Sequence, residues 1–513
     1  MIADVFSRFV ELLEAAKVEA AASAEAQSRC RRLREWKEAV LSLLRDLSAD
    51  SIPMVRRGAM LTLGKMVSVL QSEGAASSSP SGSREEVISL YLPLFKKLAS
   101  DDQDNVRVFA VETLLRFGPI LSAEEVVDHL LYHIRLLALD SAWRVRYIAA
   151  DHFIALCSML NAETIRDSMI NYFIRLLEDQ EPEVRAVAIS KIPGISKLIG
   201  VALSIEKLIP NVKQLVADSN KYARASLASI IIPFCYLLPH RVVTDHILQC
   251  ILLILKDQFP NVRLHVISNI CCHGAAADGE RADTDTATDE EAESGKKFDI
   301  SLLEEAIIPS VMELTLDSDW RVRLGIVEKL PALAKQFGRR FFDDRLFELS
   351  LAALQDNVAE IRLSAASNQL QIAKVFEADT ADADADAETE RFEWATTKLV
   401  PALLRKARGS KHYLHRIVYL LSFKFLIEGL GPRRSEPMLS EIVHVLCTDS
   451  VANVRFKACQ IVTFLAEHQL INRSTLSAQI APKLERVVKE DPDVDVVYFA
   501  TQCLDAVHRA CHR

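Results

Sequence analysis

The chain has 513 residues, with 61 Lys and Arg against 70 Asp and Glu, which gives a formal net charge of −9. Half of the residues are hydrophobic, and Gly (15) and Pro (17) are scarce, which excludes disordered, collagen-like and small disulfide-bonded proteins. The slight acidic excess gives no reason to expect a nucleic-acid partner. A single hydrophobic core stops growing near ~250–300 residues, so the chain needs several cores or one that extends with length.

The beginning of the chain does not resemble a secretory signal, because Asp4, Arg8 and Glu11 interrupt its apolar run. The longest charge-free apolar stretch, residues 225–240, is shorter than the ~20 residues of a membrane span. No membrane partner is therefore expected. The ten cysteines form no CxxC pair, which favours reduced thiols and a cytoplasmic protein, with the nucleus as a second location.

A repeated phrase runs along the chain, consisting of Asp, four variable residues, Val or Ile, and Arg. Complete copies begin at Asp50, Asp101, Asp140, Asp179, Asp257, Asp317, Asp356 and Asp449, and degenerate copies begin at Asp218, Ser410 and Asp491. Successive copies lie 39 residues apart in six of the ten intervals. The period predicts an all-α protein, an α-solenoid of about eleven helical hairpins in which neighbouring hairpins bury each other's apolar faces and form a curved superhelix.

Each copy of the phrase is predicted to be a turn followed by the start of a helix. In the copy at Asp140, apolar residues recur every three or four positions on both sides of the turn. Asp at this position is typical of a helix N-cap. The Arg of the phrase can reach the Asp of its own or a neighbouring turn, so a ladder of ion pairs would fix the stacking. Exposed pairs of this kind contribute only ~0–1 kcal/mol each.

Prolines mark the first helix of several hairpins. They stand eight or nine residues before the turn, at Pro93, Pro210, Pro309, Pro401 and Pro482. Proline removes a backbone hydrogen bond inside a helix and bends it, which would help the stack to curve.

The intervals longer than 39 residues locate three insertions. A Ser-rich insert spans 75–84, and acidic inserts span 274–297 and 377–393, each with eight acidic residues. The acidic excess of these two inserts exceeds the net charge of the whole chain. They are expected to be disordered loops, with an acidic recruitment site or a phosphorylation-controlled segment as alternatives.

No catalytic motif occurs in the sequence, and we expect neither an enzyme nor a bound cofactor. The two candidate metal sites are Asp128 with His129 and His133, and the run Cys271-Cys272-His273. Neither has a third or fourth ligand at suitable spacing, so no metal is expected, and helix-surface residues and buried thiols are the simpler interpretations. A solenoid without such chemistry is predicted to be a protein-binding surface.

Two turns carry unusual side chains. Trp143-Arg144 and Trp320-Arg321 place two of the four tryptophans of the chain in turns, and Tyr413 takes the same position in another. Trp and Arg are enriched at binding hot spots. Packing of the indole on a neighbouring turn is the alternative.

Several of these segments closely resemble the scaffold (A, structural regulatory) subunit of protein phosphatase type 2A, a family of HEAT-repeat solenoids. The resemblance runs from about Asp50 to Val507 in one order. The segments that carry it are Pro53-Met54-Val55-Arg56-Arg57, Trp143-Arg144-Val145-Arg146-Tyr147, Asn261-Val262-Arg263-Leu264, Trp320-Arg321-Val322-Arg323-Leu324, Tyr413-Leu414-His415-Arg416, Val451-Ala452-Asn453-Val454-Arg455-Phe456 and Asp493-Val494-Asp495-Val496.

The resemblance implies a non-catalytic scaffold with two kinds of protein partner. The phosphatase catalytic subunit would be held by Trp320, Arg321, Val358, Tyr413, Leu414, Val451, Asn453 and Asp493. A regulatory B-type subunit would contact Pro53, Met54, Arg57, Trp143 and Arg144. The Val358 contact departs from the family, because Ala359 stands where an aromatic residue is usual.

The resemblance also divides the chain. Residues 1–49 would be N-terminal helices, a partial repeat or cap, residues 50–316 the regulatory-subunit side and residues 317–513 the catalytic-subunit side. Family members have fifteen repeats, and the eleven turns align with the last eleven. We therefore expect the catalytic subunit to bind normally, and regulatory subunits to bind weakly or selectively.

Two other classes of protein would share this architecture. A nuclear-transport or trafficking adaptor is also an acidic helical solenoid, although its turns need not repeat the Trp-Arg pair. An enzyme on such a scaffold, for example a nucleic-acid glycosylase, would need a basic concave face with clustered aromatic residues.

Overall fold

The computed structural model describes residues 24–74, 84–270, 304–378 and 392–512. All regular structure in these residues is helical, and no strand occurs among them, so the predicted all-α solenoid of helical hairpins is confirmed. The acidic insert 274–297, most of the inserts 75–84 and 377–393, and the Cys271-Cys272-His273 run lie outside the described residues.

Each hairpin has a first helix before the turn and a second helix after it. The first helices, with their shorter segments, are Ala24–Leu47, Val87–Tyr91 with Leu92–Ala99, Ala123–His129 with Leu131–Ala138, Ala162–Thr164 with Ile165–Met169 and Ile170–Leu177, Val201–Leu203 with Ser204–Leu208 and Ile209–Leu215, His240–Val242 with Val243–Ile247 and Leu248–Leu255, Glu304–Glu313 with Leu314–Leu316, Phe342–Leu346 with Phe347–Ala352 and Ala353–Gln355, Ala395–Leu399 with Val400–Gly409, Pro432–Arg434 with Glu436–Thr448, and Arg473–Thr475 with Leu476–Ile480 and Ala481–Glu490. The second helices are Pro53–Gly74, Asp104–Arg107 with Ala110–Leu115, Trp143–Asp151 with Phe153–Ser158, Pro182–Ser190 with Ile192–Ile199, Lys221–Cys235, Pro260–Ile270, Trp320–Phe341, Ala359–Ala378, Tyr413–Leu430, Ala452–Glu467 and Val494–His512.

A five-residue π turn recurs in the first helices. In four of them a proline stands two residues after the π turn, at Pro93, Pro210, Pro401 and Pro482. The same turn forms without a proline at Ile165–Met169, Val243–Ile247 and Phe342–Leu346. These four prolines therefore stand in the first turn of the α-helical segment that follows the π turn, where a missing N–H disrupts the ladder of helical hydrogen bonds less. The curvature expected from them stays a prediction.

The described residues form two compact units, one through Ile254 and the other from Leu255 onward. Each unit has a core that continues from hairpin to hairpin. In the first unit, Phe95 packs against Phe117 within one hairpin, with ring centroids 5.4 Å apart, and against His133 of the next hairpin at 6.0 Å, and Phe153 packs against Phe173 of the following hairpin at 5.2 Å. All four phenylalanine rings are buried, so the apolar surface of each hairpin is covered by its neighbours.

The Asp of the phrase shapes the turn, but it is not the N-cap that the sequence suggested. The Oδ1 of Asp140 accepts a hydrogen bond of 2.8 Å from the N–H of Ala142, and Ala142 is the N-cap of the helix Trp143–Asp151. The same contact, from the N–H two residues later, occurs at Asp50, Asp101, Asp179, Asp218, Asp257, Asp317, Asp356, Asp449 and Asp491. The side chain thus closes an Asx turn just before the helix begins.

The Arg of the phrase joins one turn to the next. Arg146 donates through Nη1 to the carbonyls of Asp140 and Ser141, at 2.8 and 3.1 Å. Its Nε and Nη2 donate to both carboxylate oxygens of Asp179 in the following turn, at 2.6 and 2.8 Å. The guanidinium therefore bonds its own turn through the backbone and the neighbouring turn through the Asp side chain, which confirms the predicted pairing.

We call this series of contacts the Arg–Asp ladder. In the first unit its pairs are Arg56–Asp101, Arg107–Asp140, Arg146–Asp179 and Arg185–Asp218. In the second unit they are Arg263–Asp317, Arg323–Asp356, Arg416–Asp449 and Arg455–Asp491. The side chains of a typical pair are largely buried, 17% exposed for Arg146 and 6% for Asp179. The small effect expected for exposed pairs therefore does not apply, because removing one partner of a pair shielded from water leaves the other charge buried and uncompensated.

The ladder makes stability depend on pH on the acidic side. The hydrogen bond from Arg323 lowers the pKa of the Asp356 carboxyl below its ordinary value. The stabilisation is fully present above the unfolded-state pKa of about 3.9 and is lost as the pH falls through the lower folded-state pKa. We expect D356N to lose less free energy of unfolding than the parent chain on acidification, as measured by urea titrations at a series of pH values. Identical pH profiles for the two proteins would contradict this prediction.

Candidate protein-binding edge

The Asx turns and the ladder fix a row of side chains along one edge of each unit. We define the turn edge as the residues two to four positions after the Asp of each phrase, or after Ser410. They stand where the second helix begins, and their backbone is held by the Asp carboxylate behind them. Of the thirteen predicted contact residues, twelve belong to the turn edge, and Arg57 lies seven residues after Asp50.

In the first unit, the predicted regulatory contacts begin at the Asp50 turn. Pro53 is the first residue of its helix, where proline fits because the N–H would be unbonded anyway. The Met54 side chain is 60% exposed. The guanidinium of Arg57 lies 4.5 Å from the ring centroid of Phe109 in the following repeat, which fixes this side chain in a cation–π contact.

Trp143 and Arg144 form the next predicted contact. Trp143 is half-buried, and its indole meets the Tyr147 ring edge to face at 6.5 Å. Arg144 is exposed, and its guanidinium lies 5.1 Å from the Trp143 ring. These ring contacts are with the same helix, so the indole keeps surface open to a partner.

In the second unit, Trp320 and Arg321 repeat this arrangement. Asp319 is the N-cap, and its Oδ1 accepts a hydrogen bond of 2.8 Å from the N–H of Arg321. The exposed Arg321 guanidinium lies 4.8 Å from the half-buried Trp320 ring. Trp–Arg stacking holds both side chains in place before any partner arrives, which reduces the entropy lost on binding.

The next two turns bring further apolar side chains to the edge. Val358 and Leu414 are half-buried, and Tyr413 is 36% exposed. The Tyr413 ring stacks on His412, with centroids 5.5 Å apart. These side chains present flat apolar surface beside polar atoms, a composition found at interface cores.

The last two turns contribute Val451, Asn453 and Asp493. Val451 is half-buried and Asn453 is exposed. Asp493 accepts hydrogen bonds from the N–H groups of Asp495 and Val496, at 3.0 and 3.1 Å. Its carboxylate therefore caps the start of the last helix through Oδ1. A donor on a partner would have to bond the other carboxylate oxygen, Oδ2.

Some edge residues with large exposed apolar surface were missed by sequence reasoning. They are Ile52 (56% exposed), Tyr222 (66%) and Val494 (82%), and Leu316 (85%) stands directly before the Asp317 turn. The register could have identified three of them, because each lies two to four residues after the Asp of its phrase. Lys221, beside Tyr222, holds its ammonium 5.1 Å from that ring.

The candidate metal site at His133 is structural. The His133 side chain is buried, and its ring packs against Phe95 and Tyr132, with centroids 6.0 and 5.4 Å away. Burial lowers the pKa of His133 and so keeps the imidazole neutral. Among the described residues there is no group of three or more His, Cys, Asp or Glu side chains that could hold a metal ion.

The buried cysteines are unsuited to nucleophilic chemistry. Burial raises the pKa of Cys157 and of Cys503 to about 12, so both thiols stay protonated at neutral pH. Over the described helices, none is long and apolar enough to cross a membrane. The exposed side chains of the turn edge are therefore the strongest candidate for a functional site.

Comparison of the sequence with known proteins gives a local match. Residues 162–238, which include the Asp179 and Asp218 turns, match a family model described as PPP2R1A-like HEAT repeat. Over 68 residues the chain is 37% identical to the beta isoform of the 65 kDa A-type regulatory subunit of serine/threonine-protein phosphatase 2A from Homo sapiens, and to the same isoform from Mus musculus. This match covers 13% of the chain and 11% of either relative.

Comparison of the fold extends over nearly the whole chain. A crystal structure of the karyopherin Kap121p bound to the SUMO protease Ulp1p is similar with a TM-score of 0.55 and 14% identity, and Kap121p bound to Pho4p is similar with a TM-score of 0.54 and 14% identity. Each similarity covers 99% of this chain and 54% of the karyopherin, so the chain spans about half the length of these proteins. The chain is thus a HEAT-repeat α-solenoid, with a repeat like that of the phosphatase 2A scaffold in residues 162–238.

Proposed function

We propose that the chain is a non-catalytic scaffold of a type 2A serine/threonine protein phosphatase. The observation that carries the proposal is the pair of stacked Trp–Arg edges, Trp143-Arg144 in the first unit and Trp320-Arg321 in the second. In both pairs the Trp and the Arg stand three and four residues after the Asp of the phrase, and both turns are closed by the same Asx hydrogen bond. The local match to a phosphatase 2A scaffold protein supports the choice of partner.

The catalytic subunit would bind the turn edge of residues 317–513. That edge combines an aromatic–cation pair with Tyr413, Leu414, Val358 and Val451, half-buried or partly exposed side chains on turns fixed by the ladder. Rigid aromatic and apolar side chains at the centre of an interface supply most of the binding energy. Asn453 and Asp493 would contribute polar contacts.

A regulatory subunit would bind the edge of residues 50–316. Its surface is more aliphatic than the catalytic-subunit side at the Asp50 turn, where Ile52 and Met54 are exposed. Arg57, in the same helix as Met54, is held against the Phe109 ring. Residues 1–49 would add a partial repeat. Two chemically different edges allow two partners to bind at once without competing.

A pull-down from cell extract with matched Trp variants tests this assignment. We expect W320A to reduce binding of the phosphatase catalytic subunit by about tenfold or more, because hot-spot tryptophans contribute about 2 kcal/mol or more. W143A is the matched control: it should retain the catalytic subunit but lose the regulatory one. Circular dichroism would verify that both variants are folded. Undiminished capture of the catalytic subunit by W320A would overturn the assignment of this edge.

The second candidate function is a nuclear-transport or trafficking adaptor. The observation in its favour is that the neighbours in fold that cover nearly the whole chain are karyopherins. Such a protein would bind cargo proteins and enter the nucleus. Mass spectrometry of the captured proteins separates the two functions: an adaptor would recover import cargo without phosphatase components, and a fluorescent fusion would accumulate in the nucleus.

A further inference from the structure

One step of the Arg–Asp ladder in the second unit lacks its carboxylate. Arg362 has the same backbone contacts as the other ladder arginines, with Nη1 donating to the carbonyls of Asp356 and Asn357 at 2.7 and 2.9 Å. The following turn begins with Ser410 where the other described turns have Asp. The Oγ of Ser410 is 3.4 Å from the carbonyl of His412, within its own turn.

The loss of the carboxylate leaves a buried cation without the hydrogen-bonded carboxylate that the next turn supplies in the other steps. Arg362 is only 8% exposed, and its Nε has no hydrogen-bond partner among the described residues. In the complete steps the guanidinium donates to the carboxylate of the next turn, through Nε in most of them, as in Arg323 to Asp356 at 2.8 Å, and through Nη2 in Arg263 to Asp317 at 2.9 Å. The Nε of Arg263 is also without a partner, but its guanidinium still meets a carboxylate, which that of Arg362 does not. The helix of Arg362, Ala359–Ala378, packs against the helix that follows Ser410, Tyr413–Leu430. By analogy with Arg323, whose Nη1 is held in the same way and whose Nε reaches the next turn, we infer that the free Nε lies beside the Ser410 turn.

Basic side chains surround this gap, and Arg416 donates through Nη1 to the carbonyl of Ser410 at 3.3 Å. His412 and His415 belong to the same turn, with ring centroids 4.8 Å apart. Burial lowers the pKa of His415, and the neighbouring charges of His412 and Arg362 act in the same direction. An unpaired buried guanidinium in such a field is costly, so a negative group placed there would be stabilised.

We propose that Ser410 is a phosphorylation site, and that its phosphate takes the place of the missing ladder carboxylate. The Oγ of Ser410 would attack the γ-phosphorus of a nucleoside triphosphate held by a protein kinase. An Oγ–P bond forms, the bond to the nucleoside diphosphate breaks, and the hydroxyl proton passes to the base of the kinase. The product is a phosphate of charge about −2 that can accept hydrogen bonds from the Nε and Nη2 of Arg362.

The sequence around the turn suits a kinase that recognises basic residues. Arg405, Lys406 and Arg408 precede Ser410 by five, four and two residues, and charge patterns of this kind guide kinase specificity. Arg408 is 66% exposed on its side chain although it pairs with Glu441. Ser410 itself is half-buried and lies past the end of its helix, with φ −81° and ψ 119°. A serine, unlike the Asp of the other turns, makes this step of the ladder reversible.

The chemical test uses the full chain, an arginine-directed protein kinase and ATP. Mass spectrometry is expected to find one phosphate on Ser410, and S410A is expected to remain unmodified at this turn. A peptide of residues 404–416 controls for access to the hydroxyl. Phosphorylation of the peptide but not of the chain would overturn the proposal, because the Ser410 hydroxyl would then be inaccessible to a kinase in the folded protein. Failure with both substrates would overturn it as well.

The structural test compares S410D with S410A, each with Arg362 intact and with R362Q. We expect the amides at the start of the helix Tyr413–Leu430 to exchange about tenfold more slowly in S410D than in S410A, since a charge-assisted pair is restored. The difference should be much smaller in R362Q, where only the Asx turn that an Asp can close here remains, and the phosphorylated chain should match S410D. Equal exchange in S410D and S410A, or a difference of the same size in R362Q, would overturn the proposal. The outcome does not depend on which protein partner binds the turn edge.

Discussion

Replacing Asp491 by Ala is expected to destabilise the last hairpin by about 2–4 kcal/mol, because it removes one partner of a buried ion pair. Asp491 accepts hydrogen bonds from Nε and Nη2 of Arg455 at 2.7 and 2.8 Å, and from the N–H of Asp493 at 3.0 Å. The two paired side chains are only 7% and 10% exposed. The variant therefore loses the Asx turn and leaves the Arg455 guanidinium without a counter-charge away from water.

The neighbouring residue provides a matched control. Glu490 pairs with Arg486 at 3.0 Å, but these side chains are 67% and 71% exposed. E490A is expected to change the free energy of unfolding by no more than about 0.5 kcal/mol, since exposed pairs contribute little. Urea denaturation gives the free energies, and hydrogen exchange of the helices Ala481–Glu490 and Val494–His512 shows where the loss occurs. Equal losses in D491A and E490A would contradict a stabilising role for the ladder.

The second large effect is expected at Trp394, where W394A should cost about 3–5 kcal/mol. The indole is 3% exposed and lies 4.8 Å from the Phe376 ring and 6.0 Å from the rings of Phe342 and Phe347, all measured between centroids. Its Nε1 donates to Oδ1 of Asp343 at 2.8 Å. Truncation leaves a cavity among three aromatic rings and removes a hydrogen bond from a half-buried carboxylate.

Two further variants separate packing from hydrogen bonding. W394F keeps an aromatic ring against Phe376 and loses only the N–H donor and part of the volume, so it should cost less than W394A. W320A should leave stability nearly unchanged, because Trp320 is a half-buried edge residue. Thermal or urea denaturation of the three variants gives the order. A loss in W320A as large as that in W394A would show that the Trp320 indole is part of the core and not a surface held ready for a partner.

The helical hairpins and the positions of their turns could be predicted from the sequence because both depend on local geometry. An Asp whose side chain bonds the N–H two residues later, followed by Val or Ile and Arg in the first helical turns, specifies a turn and a helix start within seven residues. The prediction that the Asp itself is the N-cap was wrong, because the sequence pattern locates the helix start only to within a few residues. The sequence shows that Asp140 stands near the helix start, but only the backbone shows that Ala142 is the N-cap.

The candidate site was predictable in position but not in detail. Trp143, Trp320 and Tyr413 stand out because they occupy one register of the turn, and the structure places them half-buried or exposed at that edge. The large exposed surface of Leu316 cannot be read from the register, because this residue stands before its turn and its exposure depends on how neighbouring helices cover it. The assignment of partners to the two edges stays a prediction that the pull-downs test.

The sequence by itself determined that this chain is a series of helical hairpins with an Arg and an Asp at most of its turns. Tertiary structure decided which Asp each Arg meets, since the two residues of a pair are mostly 33 and up to 54 positions apart in the chain. It also separated the buried Trp394 from the edge residue Trp320, and left the Nε of Arg362 buried without a hydrogen-bond partner among the described residues. The physical reason is the same in each case: local hydrogen bonds select turns and helices, whereas burial and charge pairing depend on which hairpins come to lie side by side.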